Sequence, residues 1–319
     1  MTHIDKDNRL EYIDIIKGIT ILWVVWMHMN LPSIIYPAVQ MPVFFFISGC
    51  FFKKREFKEF IIRKTNTLLV PLIFFWLICY IYYVFKNELI PMNFNFNQIN
   101  WSNILDITGK YSYANISILW FLVGLFCIDF IWFFVNKYSL QYVYLILSFL
   151  LYPVGMYLYA TKQYYIIPLI PIAHILCFQP YFVIGAIIGK KILNICEHNK
   201  ATIKEYVLFA ICIIAIPVIQ HINWGIVPFA VYIVPYTIAF IIISFKLCHI
   251  LCKYNIMKIF QFYGINSLIV YCTHWQLYKW IYIENKYIHF LFICSIEIFI
   301  IILFNKYIPF FVGKKPLIK

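Results

Sequence analysis

Apolar residues run along this chain in long blocks, separated by short polar or basic stretches. A hydrocarbon core of about 30 Å needs about 20 apolar residues of helix to cross it. Ten blocks fit that template: 12–29, 38–52, 66–85, 116–135, 140–160, 168–189, 204–220, 227–247, 262–280 and 287–308. The second is short, and Pro37 and Pro42 make its start irregular. Membranes tolerate such a break where protein or water lines it.

Composition points the same way. Hydrophobic residues make up 64% of the chain and charged residues 12%, with a mean hydropathy of +0.82. A soluble core cannot hide that much apolar surface. The expected fold is therefore an all-α integral membrane protein, a bundle of about ten transmembrane helices in one multi-pass domain over 1–319, with no appended soluble domain. Membrane lipid is its surrounding partner. The opening "MTHIDKDNRLEY" is polar and the first block lacks a cleavage site, so no cleavable signal peptide is expected.

Charge adds orientation. With the N-terminus inside, 21 of the 26 Lys and Arg residues fall on the inner side and five on the outer. The positive-inside rule then places both termini in the cytoplasm, as in a plasma or inner cell membrane. The net charge of +13 is a topology signal, since no basic stripe interleaved with stacking aromatics suggests nucleic acid. The ten cysteines lie mostly in apolar blocks and none falls in 86–115, so no disulfide framework is indicated. Cys248, His249 and Cys252 are too few for a zinc site without a second pair, and no metal is expected.

The first block carries the most informative polar residues. Lys17 and His28 are eleven residues apart, which on a helix leaves a net rotation of about 20° and a separation of about 16 Å. They share a face, and Asp14 lies three residues before Lys17, within pairing distance. The plain alternative is that Lys17 snorkels to the inner headgroups while His28 ends the span. The second block holds Gln40, Ser48 and Gly49, the last suited to a close helix approach. In the ninth, Ser267, Tyr271, His274 and Tyr278 form a polar stripe, with His274 near the depth expected for His28. The outer segment 86–115 is long and rich in Asn and aromatics. That composition suits contact with sugars, or an interfacial aromatic belt.

In order along the chain, "YIDIIKGITILWVVWMH", "MPVFFFISGCFFKK", "FIIRKTNTLLVP", "LWFLVGLF", "YFVIGAIIGKK" and "YGINSLIVYCTH" resemble the membrane-bound acyltransferase 3 family. The resemblance covers nearly the whole chain. It implies a ten-helix enzyme that O-acylates sugars, most often by acetylating surface polysaccharides. The family's first-helix motif, a basic residue and then a catalytic histidine after ten intervening residues, maps onto Lys17 and His28. Most members carry Arg where this chain has Lys17, and Lys lacks the planar fork of a guanidinium. Many also carry paired glutamates soon after the fourth-block tryptophan, whereas Trp120 is followed here by "FLVGLFC".

The implied reaction moves an acetyl group from cytoplasmic acetyl-CoA to a hydroxyl of a sugar or polysaccharide acceptor. His28 would be the base, its ordinary pKa of about 6.5 suiting that task, or else a covalent acyl relay. Lys17, Arg63 and Lys64 would hold the CoA phosphates; Arg63 and Lys64 are equally readable as positive-inside charge. Ser48, Trp120, Asn266 and His274 would shape the site or donate to the oxyanion. Asp129 and Glu297 lie within blocks and could orient a histidine or pair with a Lys. A transporter or flippase of a lipid-linked saccharide is the rival class, although the paired broken helices and repeats of such proteins are not evident. The acceptor, the acyl length and any homo-oligomer stay open.

Overall fold

The computed structural model describes residues 10–32, 39–91, 101–106, 108–198, 202–204, 207, 211 and 226–318. Among these residues the regular structure is helical, apart from one isolated bridge between Ile167 and Ile170. The helices are α1 (Glu11–His28), α2 (Gln40–Cys50), α3 (Phe57–Leu89), α4 (Trp101–Leu105), α5 (Tyr113–Ile116) and α6 (Trp120–Lys137). They continue as α7 (Gln141–Ala160), α8 (Ile172–His198), α9 (Ile226–Leu251), α10 (Met257–Ile265), α11 (Ser267–Trp280) and α12 (Lys286–Tyr307). Among the described residues six helical segments are long and apolar enough to cross a membrane: Phe57–Leu89, Trp120–Lys137, Gln141–Ala160, Ile172–Glu197, Ile233–Leu251 and Lys286–Tyr307. The expected block 204–220 lies almost entirely outside the described residues.

Two expectations change. The basic stretch 53–64 falls between the expected blocks 38–52 and 66–85, but Phe57–Lys64 is helical, so Arg63 and Lys64 stand on α3. No Pro or Gly interrupts Phe57–Leu69, and Phe60 anchors the first turn by stacking on Phe133 at 4.8 Å. Two π-turns, Thr65–Leu69 and Phe85–Leu89, punctuate α3. The ninth block, expected as one helix over 262–280, breaks at Asn266 into α10 and α11. The buried Asn266 amide donates to the Phe262 carbonyl at 2.8 Å, offering the backbone an alternative to continuing the helix.

The chain divides into two units, 1–52 with 180–270, and 53–179 with 271–319. In the first, α1 packs along α10 and α9. Glycine makes that packing tight: a Cβ on Gly18 would lie 1.8 Å from the Phe260 carbonyl oxygen, and one on Gly264 would lie 1.7 Å from that of Asp14. The backbones touch there, as small residues allow between membrane helices. Gly49 does the same for α2 against α8, where a Cβ would come within 2.1 Å of the Phe182 oxygen.

In the second unit, the Tyr144 hydroxyl of α7 donates to Gln179 of α8 at 2.8 Å, and Thr273 of α11 donates to Glu297 of α12 at 2.8 Å. The C-terminal segment returns to α3. The Asn66 amide donates to the Ile318 carbonyl at 2.8 Å and accepts from the backbone N–H groups of Leu317 at 2.7 Å and Ile318 at 2.9 Å. Gly313, at φ +70°, makes the turn beside Thr67 that this path needs.

Candidate active site

In the first unit the site begins at the α1–α10 crossing. Asp14 is buried, and its carboxylate lies 3.0 Å from the Lys17 ammonium one turn along. The close backbone contact at Gly18 and Gly264 fixes this pair's place on the helix. His28 is half-buried in the last turn of α1, about 16 Å further along the axis by helical rise. The end of that turn is built by specific bonds. The Trp26 indole donates to the Pro32 carbonyl at 2.9 Å, and Asn30 takes the left-handed conformation at φ 52°. Asn tolerates that region better than most residues. Gln40, at the start of α2, donates to the Trp23 carbonyl at 3.3 Å. Ser48 is half-buried beside Gly49, and Asn266 is engaged at the helix break.

In the second unit, Lys64 of α3 lies 2.6 Å from Asp129 of α6, a residue with no exposed surface. Asp129 therefore pairs with a Lys, one of the two roles expected for it. Arg63, the residue before Lys64, is exposed. Glu297 is 1% exposed and takes hydrogen bonds from Thr273 on both oxygens, at 2.8 and 2.9 Å. Thr273 directly precedes the buried His274.

Tyr271 and Gln276 of α11 bond to the segment leading into α6. The buried Tyr271 hydroxyl donates to the Ile118 carbonyl through a very short bond and accepts from the Phe121 N–H at 3.3 Å. Gln276 donates to the Ile116 carbonyl at 2.8 Å. His274, one turn after Tyr271, has its ring 6.3 Å from the Tyr271 ring. Trp120, partly exposed, stacks on His174 with centroids 4.0 Å apart and planes at 29°. Helix α11 thus ties Tyr271 and Gln276 to the same short segment that presents Trp120.

Sequence reasoning did not single out His174 or Gln276. His174 lies inside an apolar run, "PIAHILCF", and no spacing rule links it to Trp120, 54 residues earlier. Among the described residues no group of three or more His, Cys, Asp or Glu side chains is arranged to hold a metal ion.

A family model described as an acyltransferase domain matches residues 10–312. No curated protein and no solved structure matches the chain.

Proposed function

Because the chain belongs to the acyltransferase 3 family of multi-pass membrane proteins, we propose that it moves an acetyl group from cytoplasmic acetyl-CoA to a hydroxyl of a cell-surface or lipid-linked sugar. One observation carries the reading: α1 presents a cation and an imidazole on a single face about 16 Å apart, with the cation held by Asp14 at its base. A phosphate anchor low on the helix leaves the flexible pantetheine arm to run toward the imidazole. In the orientation expected from the charge count, Lys17 is at the cytoplasmic end and His28 at the outer end.

The chemistry assigned to each residue follows. The sugar hydroxyl oxygen attacks the thioester carbonyl while His28 takes its proton. The C–S bond of the tetrahedral intermediate then breaks, and the imidazolium returns the proton to the departing CoA thiolate. Lys17 supplies charge for CoA phosphates in its unit; Arg63, exposed on α3 of the other unit, is a guanidinium of the kind that binds phosphate with two parallel bonds. Lys64 follows Arg63 on α3 and is paired with Asp129, as Lys17 is with Asp14. Ser48 and Asn266, in the same unit as His28, shape its surroundings or donate to the developing oxyanion.

The test is transfer of label from radiolabelled acetyl-CoA to glycan by the purified protein in liposomes, wild type against His28→Ala. The reading expects labelled glycan from the wild type and none from a folded His28→Ala protein. Full activity in that variant, or no acetyl-CoA turnover by the wild type with any glycan, would overturn it.

A further inference from the structure

We propose that the Ile116–Trp120 segment, with His174 and Gln276 beside it, is the subsite that holds the acceptor sugar; this rests on the acyl-transfer reading above. The segment is unusually well braced. Gln276 holds the Ile116 carbonyl, Tyr271 holds that of Ile118, and the Phe121 N–H is bonded to the same Tyr271 hydroxyl. With its backbone satisfied in this way, Trp120 is presented on a fixed support.

Two side-chain atoms at this place are not satisfied. Nδ1 of His174 and Oε1 of Gln276 have no hydrogen-bond partner among the described residues, although the side chains are 7% and 4% exposed. Leaving a buried polar atom unpaired costs about 1–3 kcal/mol. Native structures rarely keep such atoms without a ligand or functional reason. Both atoms flank one five-residue segment, Ile116–Trp120.

The imidazole is also locked in place. Trp120 stacks on it, Tyr164 lies tilted at 5.3 Å, and Tyr159 meets it edge-on at 5.4 Å. The loop carrying Tyr164 is pinned by the Tyr113 hydroxyl, which donates to the Leu169 carbonyl at 2.5 Å. Leu169 itself is held at φ 63°, a region that costs a side-chain-bearing residue of order 1–3 kcal/mol and persists only where the surroundings impose it.

A sugar is the ligand these features fit. Its C–H face stacks on an indole, and its rim hydroxyls both donate and accept, matching an imidazole nitrogen and an amide oxygen. An anion would instead call for guanidinium or ammonium groups.

The experiment uses the full chain in nanodiscs with radiolabelled acetyl-CoA. The acceptor is whichever member of a panel of neutral hexose and N-acetylhexosamine disaccharides the wild type acetylates fastest. His174→Phe keeps a stacking ring and removes the nitrogens, and it should raise the acceptor KM about tenfold, the loss of one hydrogen bond. The KM for acetyl-CoA and the melting temperature should hold. His174→Asn, which returns an amide near the Nδ1 position, should recover most of the loss. An unchanged acceptor KM in His174→Phe overturns the proposal, as does a His174→Asn protein no better than His174→Phe. Should His174→Phe fail to fold, Gln276→Met is read the same way, and an unchanged acceptor KM there overturns it. A wild type that turns over acetyl-CoA with no saccharide overturns this subsite together with the reading it rests on.

Discussion

The Lys64 ammonium sits 2.6 Å from the carboxylate of Asp129, a residue with no exposed surface, and so joins α3 to α6 through a largely desolvated ion pair. Removing one partner of such a pair leaves a charge stranded, typically at 3–5 kcal/mol. Replacing both with apolar groups of similar volume is often neutral. Lys64→Met should therefore destabilise strongly, Asp129→Leu less because Lys64 is partly exposed, and the double variant should recover most of the loss. Thermal unfolding in detergent reads all three. The stable double variant also separates structure from binding: an unchanged KM for acetyl-CoA in it removes Lys64 from any phosphate role.

At the crossing of α1 and α10, Gly18 and Gly264 leave no room for a methyl group, because the neighbouring atoms are backbone and cannot swing away. Gly18→Ala and Gly264→Ala should each cost at least the 1–3 kcal/mol typical of overpacking. Limited proteolysis of the two variants in membranes should show faster cleavage than wild type. Equal protection would mean that the two helices can separate without consequence.

Much of this could be read from residue order alone. Six of the ten apolar blocks coincide with described helices long and apolar enough to cross a membrane, because a bilayer fixes helix length far more tightly than water does. The Asp14–Lys17 pair and the close approach at Gly49 followed from helix geometry and residue size. What stayed hidden was the pairing of distant elements. Nothing near Asp129 in sequence names Lys64 as its partner, and nothing near Trp120 names His174. The helical start of α3 was missed because six basic residues in twelve read as a loop, whereas Phe57 and Phe60 supply the apolar side that packs on α6. The break at Asn266 was missed because "YGINSLIV" is apolar enough to run through; a side-chain amide competing for backbone carbonyls decides it.

The C-terminal strap depends on one side chain. Asn66 makes three bonds to Leu317 and Ile318 while its amide also donates to the Ile62 carbonyl at 2.9 Å. Asn66→Leu removes donor and acceptor together and should free the tail. Hydrogen exchange at Leu317 and Ile318 is expected to rise at least tenfold, about 1.4 kcal/mol of lost protection, with the core of α6 unchanged. Exchange at the wild-type rate would mean that packing such as Phe311 on Phe74, at 4.7 Å, holds the tail by itself.

On the segment between α3 and α6, Lys110 is bonded to Glu88 at 2.7 Å, and the Tyr111 hydroxyl donates to the same carboxylate. The hydrogen bond that Lys110 donates to Glu88 holds its ammonium above the ordinary range. A raised lysine contributes stability that is complete below its unfolded pKa of about 10.4 and is lost only as pH climbs through the higher folded value. Between pH 6 and 9 this local structure should therefore be flat in stability, weakening only at strongly alkaline pH. Lys110 is half-exposed, so Lys110→Met should cost no more than about 1 kcal/mol. Glu88→Ala leaves the buried Tyr111 hydroxyl without its acceptor and should cost about 1–3 kcal/mol. Melting curves of the two variants across that pH range check both the order and the flatness. A steep loss between pH 6 and 9 would show that some other titrating group governs this segment.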